Sequence, residues 1–247
     1  FKGISISTKD AFNTFFADYI GRKWAPSNCS YEEFAEKFQG EDKVIYKPVG
    51  LSGGEGIRAI SLDDMKKAYD EISNLEDGIV ESFIIQHPEM AKLSKNSVNT
   101  IRVVSIMTHN KKHGIETDKV HILYAGMRMG RGDGILDNLH AGGLIAGIDL
   151  DTGIIDTDGV DYDNNIYVNH PDTQTRIKGF KIPYFDEMKE MIKKAGLVCE
   201  GYFGWDVAIT ENGPILIEAN TSPGAGILQI PYAQEKKGMK YLVEKYL

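Results

Sequence analysis

Cysteine is nearly absent. Cys29 and Cys199 stand alone, far apart, with neither metal-ligand nor redox spacing. Reduced thiols are expected, and nothing in the sequence supports a disulfide between them. No apolar run approaches the ~20 residues that span a bilayer. A secretory leader pattern and an initiator methionine are both missing, the chain beginning at Phe1. No run of Lys or Arg occurs and the formal net charge is −8, which argues against nucleic acid as a main partner. A cytoplasmic protein is the expectation. Two nucleotide motifs are missing as well. There is no G-x(4)-G-K-[ST] loop, and the glycine-rich stretch Leu51–Gly56 runs into a strand pattern rather than a helix, which excludes a dinucleotide fingerprint. No alternating strand–helix–strand order points to a doubly wound sheet.

What is present is a chain of 247 residues, enough for a sizeable core in one domain or two intimate subdomains. Its most informative stretch is Gly204 to Gly224, GWDVAITENGPILIEANTSPG. Two short apolar runs flank Glu211-Asn212-Gly213, with Asn-Gly in the hairpin position. Asp206 opens the first run, Glu218 closes the second, and Asn220 follows two residues on. A hairpin about that turn brings Asp206 and Glu218 together at one end, and residues two apart share a face. Three oxygen-bearing side chains then converge, a donor set suited to Mg²⁺. The alternative is an exposed hairpin with ordinary surface acids, against which the Asn-Thr-Ser-Pro-Gly that follows Glu218 counts.

The pattern D-x(11)-E-x-N-x-x-P-G resembles the metal-binding end of the ATP-grasp superfamily. The resemblance implies an α+β fold in which two subdomains hold ATP between antiparallel sheets. It implies that Asp206, Glu218 and Asn220 hold Mg²⁺ ions bridging the ATP phosphates. It also calls for a phosphate lysine, a mobile glycine-rich loop, an adenine hinge and an arginine.

The rest of the chain supplies candidates in order. Residues 10–24 place Phe12, Phe15, Phe16, Tyr19 and Ile20 at helical spacing. Lys9 precedes them, where family members often carry a phosphate-contacting lysine. Ser30 and Glu33 form a capping-box pattern. The segment Lys43 to Leu62 reads as strand, Lys47-Pro48, glycine-rich loop, strand. It resembles the family's lid, with Lys47 on the α- and β-phosphates and Ser52, Gly53, Gly54 and Gly56 in the covering loop. Glycines let such a loop approach phosphates closely. Gly78 to Ile85 reads as a strand; by its order in the chain it resembles the adenine hinge, with Glu81 at its start and Ser82, Phe83 and Ile84 against the base. His87 is either a ribose or substrate contact or a structural histidine.

Arg102 and Arg128 are each embedded in a strand pattern, a costly place for a guanidinium unless it is paired or faces a cleft. With Asn99, Asn138, His140, Gly142 and Gly143 they resemble the peptide-ligase branch, where the arginines stabilise the γ-phosphate and an acyl phosphate. Surface salt bridges are the alternative. The acidic turn Asp161–Asn165 lacks the spacing and closing Glu of a calcium loop. Gln86-His87-Pro88, the stretch from Ser97 to Val103, and His170 to Pro183 resemble a subgroup associated with sugar transfer and polysaccharide synthesis. His170 itself is expected to be an ordered loop histidine. Family members carry a further N-terminal subdomain, expected to be missing from a chain that starts at Phe1.

The expected organisation is a lid over residues 25–84 and a main subdomain over 1–24 and 85–247. The expected activity is an ATP-dependent carboxylate–amine ligase working through an acyl phosphate, with ATP and Mg²⁺, a small-molecule carboxylate and an amine, one of them a sugar or polysaccharide precursor. A kinase acting on a sugar hydroxyl, or a non-catalytic nucleotide-binding partner protein, are the alternatives. The sequence gives no oligomeric state.

Overall fold

A computed structural model describes residues 8–51, 53–112, 115–224, 226, 229–236, 238 and 240–246. The chain divides at Ile84/Ile85 into two compact units.

The smaller unit is built on a four-stranded antiparallel sheet. Its strands are β1 (Trp24–Pro26), β2 (Lys43–Pro48), β3 (Arg58–Ser61) and β4 (Gly78–Ser82), in the order β1-β4-β2-β3. Period-two alternation in β2 buries Val44 and Tyr46. They join Phe34 and Phe38 from α3 (Tyr31–Lys37) and Ala68 and Ile72 from α4 (Met65–Ser73) in one core. Each large apolar side chain buried there contributes ~1.5–3 kcal/mol. Both helices start on side-chain caps: Ser30 Oγ accepts from Glu33 N at 3.1 Å, and Asp64 Oδ1 from Lys67 N at 3.0 Å.

The helical pattern at the N-terminus is realised as two pieces, α1 (Lys9–Phe15) and α2 (Ala17–Ile20). Phe16 departs from helical geometry between them, Gly21 ends α2 at φ +55°, and Trp24 begins a strand. These helices, expected with the larger unit, belong to the smaller one. Lys9 Nζ donates to the carbonyls of Pro48 (2.9 Å) and Leu51 (2.7 Å), and Asn13 reaches Glu81.

The larger unit carries a seven-stranded antiparallel sheet: β5 (Thr100–Lys112), β6 (Ile115–Met129), β7 (Leu144–Ile148), β8 (Gly159–Val160), β9 (Ile166–Tyr167), β10 (Gly201–Thr210) and β11 (Gly213–Asn220). Their order is β11-β10-β5-β6-β7-β8-β9. After the Asp151-Thr152-Gly153 turn the chain returns through isolated bridges, Ile148 with Ile155 and Ile154 with Lys181. One face of the sheet packs against α6 (Phe185–Gly196), whose apolar residues recur at helical spacing. On that face Trp205 is fully buried and donates from Nε1 to Ser105 Oγ at 2.9 Å. Over β7 and β8 lies a 3₁₀ segment, Ile230–Glu235.

Candidate active site

The opposite face of the large sheet carries the charged groups. The hairpin forms about Glu211-Asn212, with Gly213 at φ +111° after the turn and a bulge between Asp206 and Val207 that shifts the register by one. Its register pairs Asp206 with Glu218 and Gly204 with Asn220. Asp206 also pairs with Arg102 on β5, and Arg102 with Gly126 on β6, two residues before Arg128. Alternation therefore places Glu218, Asn220, Asp206, Arg102 and Arg128 on one face.

Both arginines meet at Asp206. Arg102 donates from Nε to Oδ1 (2.5 Å) and from Nη2 to Oδ2 (3.0 Å), a bidentate fork. Arg128 Nη1 reaches Oδ2 at 3.0 Å. Its Nη2 donates to Asp137 Oδ1 at 2.8 Å and to Asn138 Oδ1. Asp137 is in turn tied to Thr100, accepting from its backbone N at 2.9 Å and from its hydroxyl. Burial alone would push the Asp206 carboxyl up, but Arg128 and Arg102 outweigh it and hold the group below its ordinary value. Burial disfavours charge on Arg128 too, and Asp137 and Asp206 more than compensate. Two carboxylates and two guanidiniums thus form a buried, neutralised cluster, with Glu218 half-buried across from Asp206. Asp137, Thr100 and Arg128 lie close because a tight turn after β6 folds Asp137 back. Asn138 caps that turn by accepting from Gly143 N at 3.0 Å, and Gly142 adopts φ +90°.

The donor set suits a hard divalent cation. Asp206 and Glu218 are adjacent carboxylates, and Asn220 sits on the same face with its amide nitrogen buried and without a hydrogen-bond partner. The two ends of an amide are interchangeable by rotation, so Asn220 has a group still to be satisfied there. No cluster of three or more His, Cys, Asp or Glu with metal-site geometry occurs among the described residues. The Asp161 carboxylate serves its own turn, accepting from Asp163 N, Asn165 N and Asn165 Nδ2.

In the smaller unit a second charged cluster surrounds Glu81. Its Oε1 accepts from Asn13 Nδ2 and Arg22 Nη2, each at 2.7 Å, and Oε2 pairs with Lys47 Nζ at 2.5 Å. Burial would raise this carboxyl, but Lys47 and Arg22 together hold it far below its ordinary value. Gly53, Gly54 and Gly56 all adopt left-handed φ, so the loop after Lys47 turns in a way only glycine accepts cheaply. Lys9 anchors Leu51 at its edge. Ser52 lies outside the described residues. Ser82 Oγ donates to Glu41, Lys43 Nζ stands 3.8 Å from the Phe83 ring centroid, and Ile84 is half-buried.

The remaining candidates have partners within the chain. Asn99 is fully buried, its amide nitrogen within bonding distance of Gln86 Oε1, Met90 O and Ser94 O. His87 caps a short helix, Pro88–Ala91, by accepting from Glu89 N. His140 packs against Tyr162, with ring centroids 4.7 Å apart. His170 is fully buried and bonds Gly130 O through Nε2. Sequence reasoning missed Asp137, Thr100, Arg22 and Asn13. Of these only Asp137 had a signal, its adjacency to Asn138.

The comparisons with known proteins agree with this architecture. The family profile described as sugar-transfer associated ATP-grasp matches residues 69–244. No curated protein sequence matches the chain. Among solved structures, the ATP-grasp ligase PsnB in complex with a minimal precursor superposes with a TM-score of 0.53 at 14% identity, over 96% of this chain and 60% of that one. D-alanyl-alanine synthetase A from Vibrio cholerae O1 biovar eltor strain N16961 gives 0.51 at 12% identity, over 96% and 62%. The chain thus spans about three fifths of the length of these structures. At such identity the likeness is one of fold. The family match covers well over half of the chain, and the protein belongs to the sugar-transfer associated ATP-grasp family.

Proposed function

We propose that the protein is an ATP-dependent carboxylate–amine ligase that activates a carboxylate as an acyl phosphate, with a sugar-bearing or polysaccharide-precursor substrate. The observation that carries the reading is the single sheet face on which Glu218, Asp206, Arg102 and Arg128 converge. The family's association with sugar transfer supports the substrate class.

In this reading Asp206, Glu218 and Asn220 hold Mg²⁺, which when bound supplies charge neutralisation for phosphate oxygens. Arg102 and Arg128 contribute planar donors for oxyanions, the charge that spreads over an acyl phosphate as it forms. Asp206 and Asp137 hold the two guanidiniums at fixed angles, so little reorganisation is needed. Lys47, paired with Glu81, serves as a phosphate ligand, and the Gly53–Gly56 loop offers backbone N–H groups to the phosphates. The step requires no nucleophilic side chain, since phosphoryl transfer depends on positioning and charge.

Product accounting tests this. Incubation with ATP, Mg²⁺, uronic acids and amino acids, with hydroxylamine as trap, is expected to give ADP, free phosphate and a hydroxamate. Phosphate retained on a sugar would assign a kinase instead. ATP binding without turnover in any pool would favour a nucleotide-binding partner protein.

A further inference from the structure

The charged face continues past the arginines along one row of cross-strand partners. Glu218 faces Asp206, Asp206 faces Arg102, Arg102 faces Gly126, and Gly126 faces Gly147. Such partners point to the same side of a sheet, about 4.8 Å apart per strand. The first three positions carry charge; the last two carry no side chain. A methyl group on Gly126 would stand 2.5 Å from the Tyr124 hydroxyl. One on Gly147 would collide with the Tyr232 hydroxyl and lie 2.9 Å from Asp156 Oδ1. The two glycines therefore leave room for Tyr124 to lie along β6 over Gly126, and for Tyr232 and Asp156 to sit over Gly147 on the next strand.

These three groups form a unit. The Tyr232 hydroxyl donates to Asp156 at 3.0 and 3.2 Å, and the Tyr124 and Tyr232 rings meet edge to face at 6.2 Å. Tyr232 and Asp156 are half-buried, and Tyr124, 2% exposed, lies in an apolar cluster with Val104, Ile106 and Leu123 against which Tyr232 packs. The Tyr124 hydroxyl is buried and has no hydrogen-bond partner. An unpaired buried hydroxyl destabilises the ligand-free fold, and a ligand that completes it recovers that loss. Burial raises both phenols, so they stay neutral and Asp156 sets the sign of the group.

We propose that Tyr124, Tyr232 and Asp156 form the subsite for an amine substrate, its ammonium group on Asp156 and a polar neighbour on the Tyr124 hydroxyl. A carboxylate with two phenols suits a primary ammonium, and Arg102, the cross-strand partner of Gly126, suits the oxygens of an activated acyl group. The amine's role in the reaction rests on the ligase reading; the binding site does not.

Thermal unfolding with individual primary amines (the proteinogenic amino acids, ethanolamine and glucosamine) tests the site. At least one amine is expected to raise the wild-type midpoint, with Tyr124→Phe and Asp156→Asn each binding it tenfold or more weakly. A wild type that answers to no amine, or a Tyr124→Phe variant that responds like wild type, overturns the proposal. Should Asp156→Asn fail to fold, Tyr124→Phe removes only an unpaired hydroxyl and keeps the test in force. Hydroxamate formation without any amine shift would overturn the subsite and leave the ligase reading standing. An amine shift without hydroxamate would do the reverse.

Discussion

Replacing Glu81 by Gln removes one negative charge and almost no volume. In the smaller unit that charge faces two cations, Arg22 at 2.7 Å and Lys47 at 2.5 Å, all three well buried. Gln keeps an acceptor for Asn13 or Arg22 but removes the negative charge that faces both cations. Breaking a buried pair in this way costs about 3–5 kcal/mol, far more than a surface pair. Trp24 pairs with Glu81 across β1 and β4, and Trp205 is the chain's only other tryptophan. Urea unfolding read from Trp24 emission in a Trp205→Phe background therefore reports on the affected unit. The pH dependence has a definite sign. A carboxyl whose folded value is depressed contributes stability that is complete above its unfolded value, near 4.5, and is lost as pH falls through the folded value. Unfolding free energy should fall below pH 4.5 for wild type and fall less steeply for Glu81→Gln. A loss under about 1 kcal/mol at neutral pH, with parallel pH profiles, would refute the reasoning.

Three further outcomes follow from the structure. Glu218→Gln should weaken Mg²⁺ at least about tenfold, ~1.4 kcal/mol; the wild-type thermal midpoint with ATP should rise on adding Mg²⁺ and the variant's should not. Gly126→Ala forces a methyl against the Tyr124 hydroxyl and should cost about 1–3 kcal/mol, with Tyr124→Phe in the same chain restoring part of the melting temperature. Burial pushes the Cys199 thiol up to about 12, so Ellman's reagent at mildly alkaline pH should leave it unmodified until the protein unfolds.

Much of the fold was legible because its signals are local. The Asn212-Gly213 signal marked the hairpin, and alternation set which residues share a face, but the turn's register alone would put Ile217 opposite Asp206; a bulge between Asp206 and Val207 shifts the pairing by one and brings Glu218 there. Ser30 announced its helix through one hydrogen bond. Other features had no local signal. The single helix expected from Asp10 to the stop at Gly21 breaks at Phe16, and both pieces belong to the smaller unit, where Lys9 and Asn13 find partners 39 and 68 residues away. Whether a polar residue beside a strand binds a substrate or neighbouring carbonyls has no local signal, and Asn99 and His87 both have partners within the chain.

The sequence alone determined the donor types and their order: two carboxylates and an amide at a hairpin end, two arginines within strands, a lysine before a glycine-rich loop. Short-range rules suffice for that, because turn chemistry and period-two alternation act over a few residues. Only the tertiary structure decided who pairs with whom. Asp206 takes both arginines from strands about 80 and 100 residues earlier. Asp137 fixes Arg128 from the far side, and Tyr124 lies on the sheet because Gly126 leaves it room. Those pairings depend on strand order in a seven-stranded sheet, a long-range property that no stretch of the chain encodes by itself.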